Sequence, residues 1–367
     1  MDTPTAARPR SRSSRRPRGP HRFAATLLGV VAAVAIALPA AAVPSDWTSP
    51  SRGFATHALV AHDLAVEPDG TAHIATEGGA TPGIWAITRS GSTWDTVQVT
   101  GGDDHSPSIA LDGTGVVIAF ARRDAGQEGI WTVTNINGDW EAPVQRHAGA
   151  DSDPSLATYD GRAQIAFRAP NGLRYVAGPD DVTDPTGWIE ESIDTTCCTA
   201  PPSLGLTATG DARVAYGDGT SASPGGLSVA SRTGADTWTR STVDSHRTSY
   251  PALSVYGTQL HVAYVRRGAG TWYASRLTGA WTFRQLDAGA SGPPDVSAFS
   301  GSSAFIYGNT GKLKYATYSG GIVFTKAFSS AGGDRTPHVT RAGGKPLITW
   351  LRANGGAGDG ILLSRQK

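Results

Sequence analysis

Apolar and polar residues alternate along this chain in short runs, and the runs recur about every 45 residues. Period-two alternation bounded by Gly, Asp and Pro predicts half-buried β-strands rather than helices. Seven strand starts align: Asp63-Leu64-Ala65-Val66, Pro107-Ser108-Ile109-Ala110, Pro154-Ser155-Leu156-Ala157, Pro202-Ser203-Leu204-Gly205, Pro251-Ala252-Leu253-Ser254, Pro294-Asp295-Val296-Ser297 and Pro337-His338-Val339-Thr340. Steps between successive prolines run from 43 to 49 residues. A turn such as Asp112-Gly113 or Asp160-Gly161 follows. A second strand then ends in an aromatic, as in Val116-Val117-Ile118-Ala119-Phe120 or Leu260-His261-Val262-Ala263-Tyr264. A third strand follows, such as Gly129-Ile130-Trp131-Thr132-Val133. A fourth opens at Trp94, Trp140, Trp188, Trp238 or Trp281, each 13 or 14 residues before the next proline anchor, with Phe324 in that position before Pro337.

Four strands per repeat of this length predict the blades of a β-propeller. Two columns of the repeat support that. Ala65, Ala110, Ala157, Gly205, Ser254, Ser297 and Thr340 are small, as the crowded innermost strand requires, and the Trp residues suit the splayed outer edge. The seventh repeat has three strands and then the chain ends at Lys367, whereas Trp47 stands 15 residues before His62. Residues 47–58 are therefore expected to supply the missing strand, closing an all-β, seven-bladed propeller and covering its exposed edges. Six or eight blades are the alternatives.

Residues 1–42 stand apart. Arginines precede an apolar run, and Ala40-Ala41-Ala42 offers a small-residue cleavage site. This is the layout of a secretory signal peptide, with a retained membrane anchor as the rival reading. Residues 43–367 then form a single domain outside the cell. The leader carries seven Arg against one Asp while the whole chain sums to +1, so the remainder is net negative. That charge argues against nucleic acid as a partner. Cys197 and Cys198 are the only cysteines and they are adjacent. In a secreted chain they pair with each other or between molecules, and a vicinal disulfide is expected. Without a Cys-x-x-Cys partner they do not make a metal site. No metal and no cofactor is expected.

In a propeller, the loops entering the first strands open on the same face as the turns after the second strands. The entering loops bring Asp104, His105, Asp153, Cys197, Cys198, His246, Arg247, Tyr250 and Arg335 to that face. The turns bring Glu77, Arg122, Arg168, Asp218, Arg266 and Arg352. These fifteen residues are the candidate ligand site. Arginine clusters suit carboxylates and phosphates through paired hydrogen bonds, and an acidic sugar is one such ligand. The competing reading is that neighbouring Asp and Arg pair with each other.

The turns between third and fourth strands, Ser90-Gly91-Ser92-Thr93-Trp94, Asn137-Gly138-Asp139-Trp140 and Thr278-Gly279-Ala280-Trp281 among them, resemble degenerate Asp-box (BNR) repeats. The chain is thus similar to the sialidase-like, Asp-box propellers, which include sialidases, other glycan-active enzymes and binding proteins. Sialidases carry a Phe/Tyr-Arg-Ile/Leu-Pro motif ahead of the first Asp box. The nearest match here is Phe167-Arg168-Ala169-Pro170, in the third repeat. The catalytic set does not transfer, and catalytic residues stay unassigned. Other signatures are absent, including a nucleophile elbow and His-Glu-x-x-His. The expected function is a secreted or cell-surface monomeric propeller binding a glycan or an extracellular protein at its funnel face. A glycan-active enzyme and a structural scaffold are the alternatives. A membrane enters only through an uncleaved leader.

Overall fold

The structure is a computed structural model. It describes residues 47–48, 51–54, 61–78, 81–113, 115–179, 186–198, 200–220, 224–290, 292–309, 312–328, 333–352 and 360–367. The leader expected over 1–42 lies outside the described residues. Among the described residues there is no helix long and apolar enough to cross a membrane.

Seven antiparallel four-stranded sheets form the seven blades of a β-propeller. In six of them the strands run in chain order. In the seventh, the order is Ser51–Phe54, Gly360–Arg365, Lys345–Arg352, Asp334–Ala342. The early segment is thus the outer strand of the last blade. It pairs with Gly360–Arg365 through Ser51↔Leu363 and Arg52↔Leu362, and Trp47 bridges Gln366. The closure predicted from the missing fourth strand is present. The outer edge of Gly360–Arg365 is thereby paired, in a sheet that joins early and late segments of the chain.

The core lies in the seams between blades. Second-strand residues such as Ile118, Ile165, Val214, Val262, Phe305 and Ile348 are fully buried and face a neighbouring blade. Each fourth-strand Trp packs into the seam with the preceding blade: Trp140 on the cluster of Ile118 and Phe120, Trp188 on that of Ile165 and Phe167, Trp238 on that of Tyr216. Trp47 takes the same place beside Tyr315 and Phe328, each 5.0 Å away edge-on. The sixth blade departs from the sequence reading: Val323 and Tyr318, rather than Phe324, enter the seam there.

The innermost strands show why the ring holds its register. Their N–H groups on the axial edge have no ladder partner. A side chain from the preceding blade supplies one. Ile109 N donates to Asp63 Oδ2 (3.0 Å), Leu156 N to Ser108 Oγ (3.0 Å), Leu204 N to Ser155 Oγ (2.9 Å), Leu253 N to Ser203 Oγ (2.9 Å) and Val339 N to Asp295 Oδ2 (2.8 Å). The donor position in the next blade is fixed, so the acceptor column is Asp63, Ser108, Ser155, Ser203, Ala252, Asp295 and His338. Ala252 has no acceptor atom, and His338 does not make this bond. After each of these two stands an aspartate that bonds its own neighbour: Val296 N to Asp295 Oδ1 and Leu64 N to Asp63 Oδ1, both 2.8 Å. A carboxylate has two oxygens. It serves its own blade with one and the next blade with the other, where a serine hydroxyl serves only the next.

Candidate functional site

The seven innermost strands enclose a funnel of about 520 Å³ along the axis. Its described lining is made by the strand starts, among them Asp63, Ser106, Asp153, Tyr250, Asp295, Thr336 and His338. Four blades aim a side chain into it by the same local device. The residue before the anchor proline has a positive φ: Ser106 at 50°, Asp153 at 53°, Tyr250 at 53° and Thr336 at 43°. At each the ladder register shifts, between His105 and Ser108, Ser152 and Ser155, Ser249 and Ala252, and Arg335 and His338. Proline has no N–H to give the ladder, so the strand bulges, and a bulge re-aims the side chain beside it. Left-handed backbone in a residue with a Cβ costs about 1 kcal/mol or more. Tyr250, 44 % exposed, is the large apolar group presented this way.

Four of the six candidate arginines give their guanidiniums to carboxylates, Arg122, Arg168 and Arg352 within their own blade and Arg266 to the end of the preceding blade's outer strand. Asp104 stands opposite Arg122, and Asp334 opposite Arg352. Both pairs are two-pronged: Arg122 Nε and Nη2 donate to Asp104 at 2.7 and 2.9 Å, and Arg352 to Asp334 at 2.7 and 3.0 Å. Arg168 donates to Asp153 through Nε at 2.6 Å and again through Nη2. Arg266 donates to Asp244 Oδ2 through Nε and Nη2 (3.0 and 2.5 Å), and the same oxygen accepts from Tyr264 Oη at 2.7 Å. Burial alone would raise the Asp244 carboxyl. The His246 N–H, the Tyr264 hydroxyl and Arg266 outweigh burial and hold it below the usual carboxylate range. Arg122 and Arg266 also lie over the rings of Trp131 and Trp272, 4.4 and 3.9 Å from the centroids.

The other candidates are placed as follows. Glu77 joins blades one and two: its Oε1 faces His105 Nδ1 at 3.0 Å, and its Oε2 accepts from Ser106 N at 3.1 Å. His105 Nε2 turns to Asp103 at 2.5 Å. Asp218 accepts from Ser228 Oγ at 3.2 Å and from Arg240, away from the funnel lining. His246 bonds Asp244 at 2.8 Å and is largely exposed, as is Arg247. Arg335 is opposite Leu351 on the ladder. Cys197 and Cys198 form a disulfide across a cis peptide bond. They pack on the apolar cluster of Leu204, Val214 and Tyr216 and do not line the funnel. Of the fifteen candidates, the structure brings Asp153 and Tyr250 to the funnel wall.

The deeper wall holds groups that were read only as strand starts. Asp295, His338 and Asp63 come from three consecutive blades. His338 Nδ1 lies 3.5 Å from Asp63 Oδ1 and 3.7 Å from Asp295 Oδ2, beyond ordinary hydrogen-bond length. Asp295 sits deep in the protein, yet keeps 23 % of its side-chain surface open to the cavity. That depth raises its carboxyl above the ordinary value, with His338 opposing. His62, 4 % exposed, stacks edge-on with His338 at 4.7 Å, and its Nε2 meets Thr349 Oγ1 at 3.1 Å. Its Nδ1 has no hydrogen-bond partner among the described residues. Burial first, then His338, drives its pKa well below the usual imidazole value. A signal for these residues existed in the repeat: two positions before the small-residue column, Asp, Ser, Ala and His alternate where a purely structural column would be uniform.

Fold and funnel together define a seven-bladed propeller with a polar axial cavity. Its structural neighbours include a triple arginine-to-alanine mutant of AofleA from Arthrobotrys oligospora, with TM-score 0.51, 12 % identity, and coverage of 74 % of this chain and 87 % of that one. SapL1 lectin in complex with alpha methyl fucoside has TM-score 0.49 at 14 % identity, covering 71 % and 92 %. Trypanosoma rangeli sialidase has TM-score 0.46 at 12 % identity, covering 84 % of this chain but only 55 % of the sialidase. At such identities the likeness is one of fold. No protein-family model matches the chain, so the Asp-box reading of the turns rests on the residues alone, and no curated protein matches it.

Proposed function

We propose that the chain is a secreted carbohydrate-binding propeller that takes its ligand into the axial funnel. One observation carries this reading: an open cavity of about 520 Å³ gathers hydroxyls, carboxylates and an exposed tyrosine from separate blades. Cavities of that size with a few convergent polar groups are the usual form of a small-ligand site. Tyr250 offers a ring face to the C–H face of a sugar, and Asp63, Asp153 and Asp295 offer acceptors to its hydroxyls. Asp63 already accepts from Leu64 N, Ile109 N and Ser108 Oγ (2.9 Å). A carboxylate so committed is fixed in place as an acceptor, which favours binding over hydrolysis.

A glycan array carrying neutral, amino, uronic and sialylated sugars tests this. The expected result is selective binding that Tyr250→Ala weakens. Binding to no glycan on the array, with the protein folded, would remove the carbohydrate reading and leave a protein partner or a scaffold.

A further inference from the structure

Accepting the funnel as a sugar site, we infer that it selects a sugar bearing a free ammonium group, with Asp295 as the anchor. The lining supplies three aspartates and, among its described residues, no Lys or Arg. Four of the six candidate arginines are spent on carboxylates, Arg122, Arg266 and Arg352 outside that lining and Arg168 on Asp153, and Arg247 and Arg335 do not belong to the lining. Deeper in, Asp63 and Asp295 face His338 at 3.5 and 3.7 Å, and no shorter cation contact reaches either carboxylate among the described residues.

Acceptor accounting separates the two aspartates. A carboxylate offers about four lone-pair sites. Asp63 has three filled, by Leu64 N, Ile109 N and Ser108 Oγ. Asp295 has two filled, by Val296 N and Val339 N. Asp295 therefore keeps acceptor capacity on a side chain that is open to the cavity. Burial has lifted its pKa because water no longer solvates the charge fully. An arriving ammonium restores what burial removed, and a neutral hydroxyl restores only part of it.

A second lining residue beside these aspartates leaves a polar atom unsatisfied. His62, 96 % buried on the scale on which it is 4 % exposed, belongs to the funnel lining and leaves Nδ1 without a partner. Buried polar atoms in native proteins are nearly always satisfied. The ligand class is then an amino sugar: polyol for the hydroxyl-lined wall, cation for Asp295. The arginine-rich face read from the sequence pointed instead to an acidic sugar; the pairing of four of those arginines and the absence of all six from the described lining reverse the expected charge.

The test is calorimetric titration of the full chain with three probes: a β-1,4-linked glucosamine dimer, its N-acetylated counterpart and D-glucuronic acid. N-acetylation removes the ammonium and keeps the ring. The glucosamine dimer should bind about ten- to a hundredfold more tightly than the acetylated one, the range for a charge-assisted hydrogen bond, and glucuronate most weakly. Asp295→Asn should abolish that preference and leave the two dimers alike. Equal affinity for the two dimers in the wild type, or tighter binding of glucuronate, would overturn the proposal while leaving the funnel a sugar site. Binding of none of the three would overturn it together with the reading it rests on. The wild-type comparison needs no variant, so it stands even if Asp295→Asn folds poorly.

Discussion

The rim and the shaft of the funnel face carry the same kinds of charged residue in opposite situations. At the rim, Asp104, Asp244 and Asp334 are almost wholly buried, and each is gripped by an arginine, of its own blade for Asp104 and Asp334 and of the next blade for Asp244. In the shaft, Asp63 and Asp295 hold backbone N–H groups and face a cavity with no arginine in its described lining. The difference teaches that counting charges on a face says little about its ligand. What matters is whether each charge already has a partner. The rim is matched internally and serves the fold. The shaft keeps a surplus of acceptors and can serve a ligand.

The largest expected effect is at the rim. Asp244→Ala leaves Arg266 without its carboxylate and Tyr264 without its acceptor. Breaking a buried pair from one side costs about 3–5 kcal/mol, so urea unfolding should show a loss of that size. A loss under about 1 kcal/mol would mean that the rim pair is not structural. In the shaft the order inverts. Asp295→Asn should change stability by no more than about 1–2 kcal/mol, since one amide oxygen still accepts, while amino-sugar affinity falls about ten- to a hundredfold. Stability and affinity lost in equal measure would erase the contrast.

A double-mutant cycle reaches the axial belt itself. Asp295→Ala strips the acceptor from Val296 N, because Ala252 in the preceding blade has none to offer. Ala252→Ser should supply it, as Ser203 Oγ does for Leu253 N. The coupling expected between the two changes is about 1 kcal/mol in favour of the double variant, read from chemical unfolding. Strict additivity would show that the carboxylate does not stand in for the missing hydroxyl.

The smallest effect is one of ordering in acid. Asp244 has a lowered pKa, so its contribution to stability is present above the ordinary carboxylate range and is lost as pH falls through the folded value. Asp295 has a raised pKa, so its protonation favours the fold, and that contribution is lost as pH rises through the folded value. As pH is lowered, amino-sugar binding should therefore fail first, with the fold intact, and unfolding should follow at lower pH. Simultaneous loss in parallel titrations of affinity and unfolding free energy would contradict this order.

The architecture was legible because a repeat writes it seven times. The proline anchors, the small column and the Trp offset each report the same geometry, and Trp47 marked the closing strand across more than 300 residues of chain. The site was less legible for two physical reasons. Whether Arg122 or Arg266 is available to a ligand depends on contacts between strands: the ladder register sets Asp104 opposite Arg122, and the end of the preceding blade's outer strand brings Asp244 to Arg266. The roles of Asp295 and Asp63 depend on the neighbouring blade, since each replaces an acceptor that Ala252 or His338 does not provide. Such a role appears only when a column is compared around the ring. Cys197 and Cys198 drew attention by rarity, yet they pack on the seam of blades three and four.

The most direct measurement compares Asp295→Asn with Arg266→Ala, each assayed for glucosamine-dimer affinity and for thermal unfolding. The account predicts a folded Asp295→Asn protein with its affinity reduced about tenfold or more, and an Arg266→Ala protein of lower melting temperature that binds like the wild type while folded. Weakened binding in Arg266→Ala with unchanged melting, beside full affinity in Asp295→Asn, would place the ligand at the rim and contradict it.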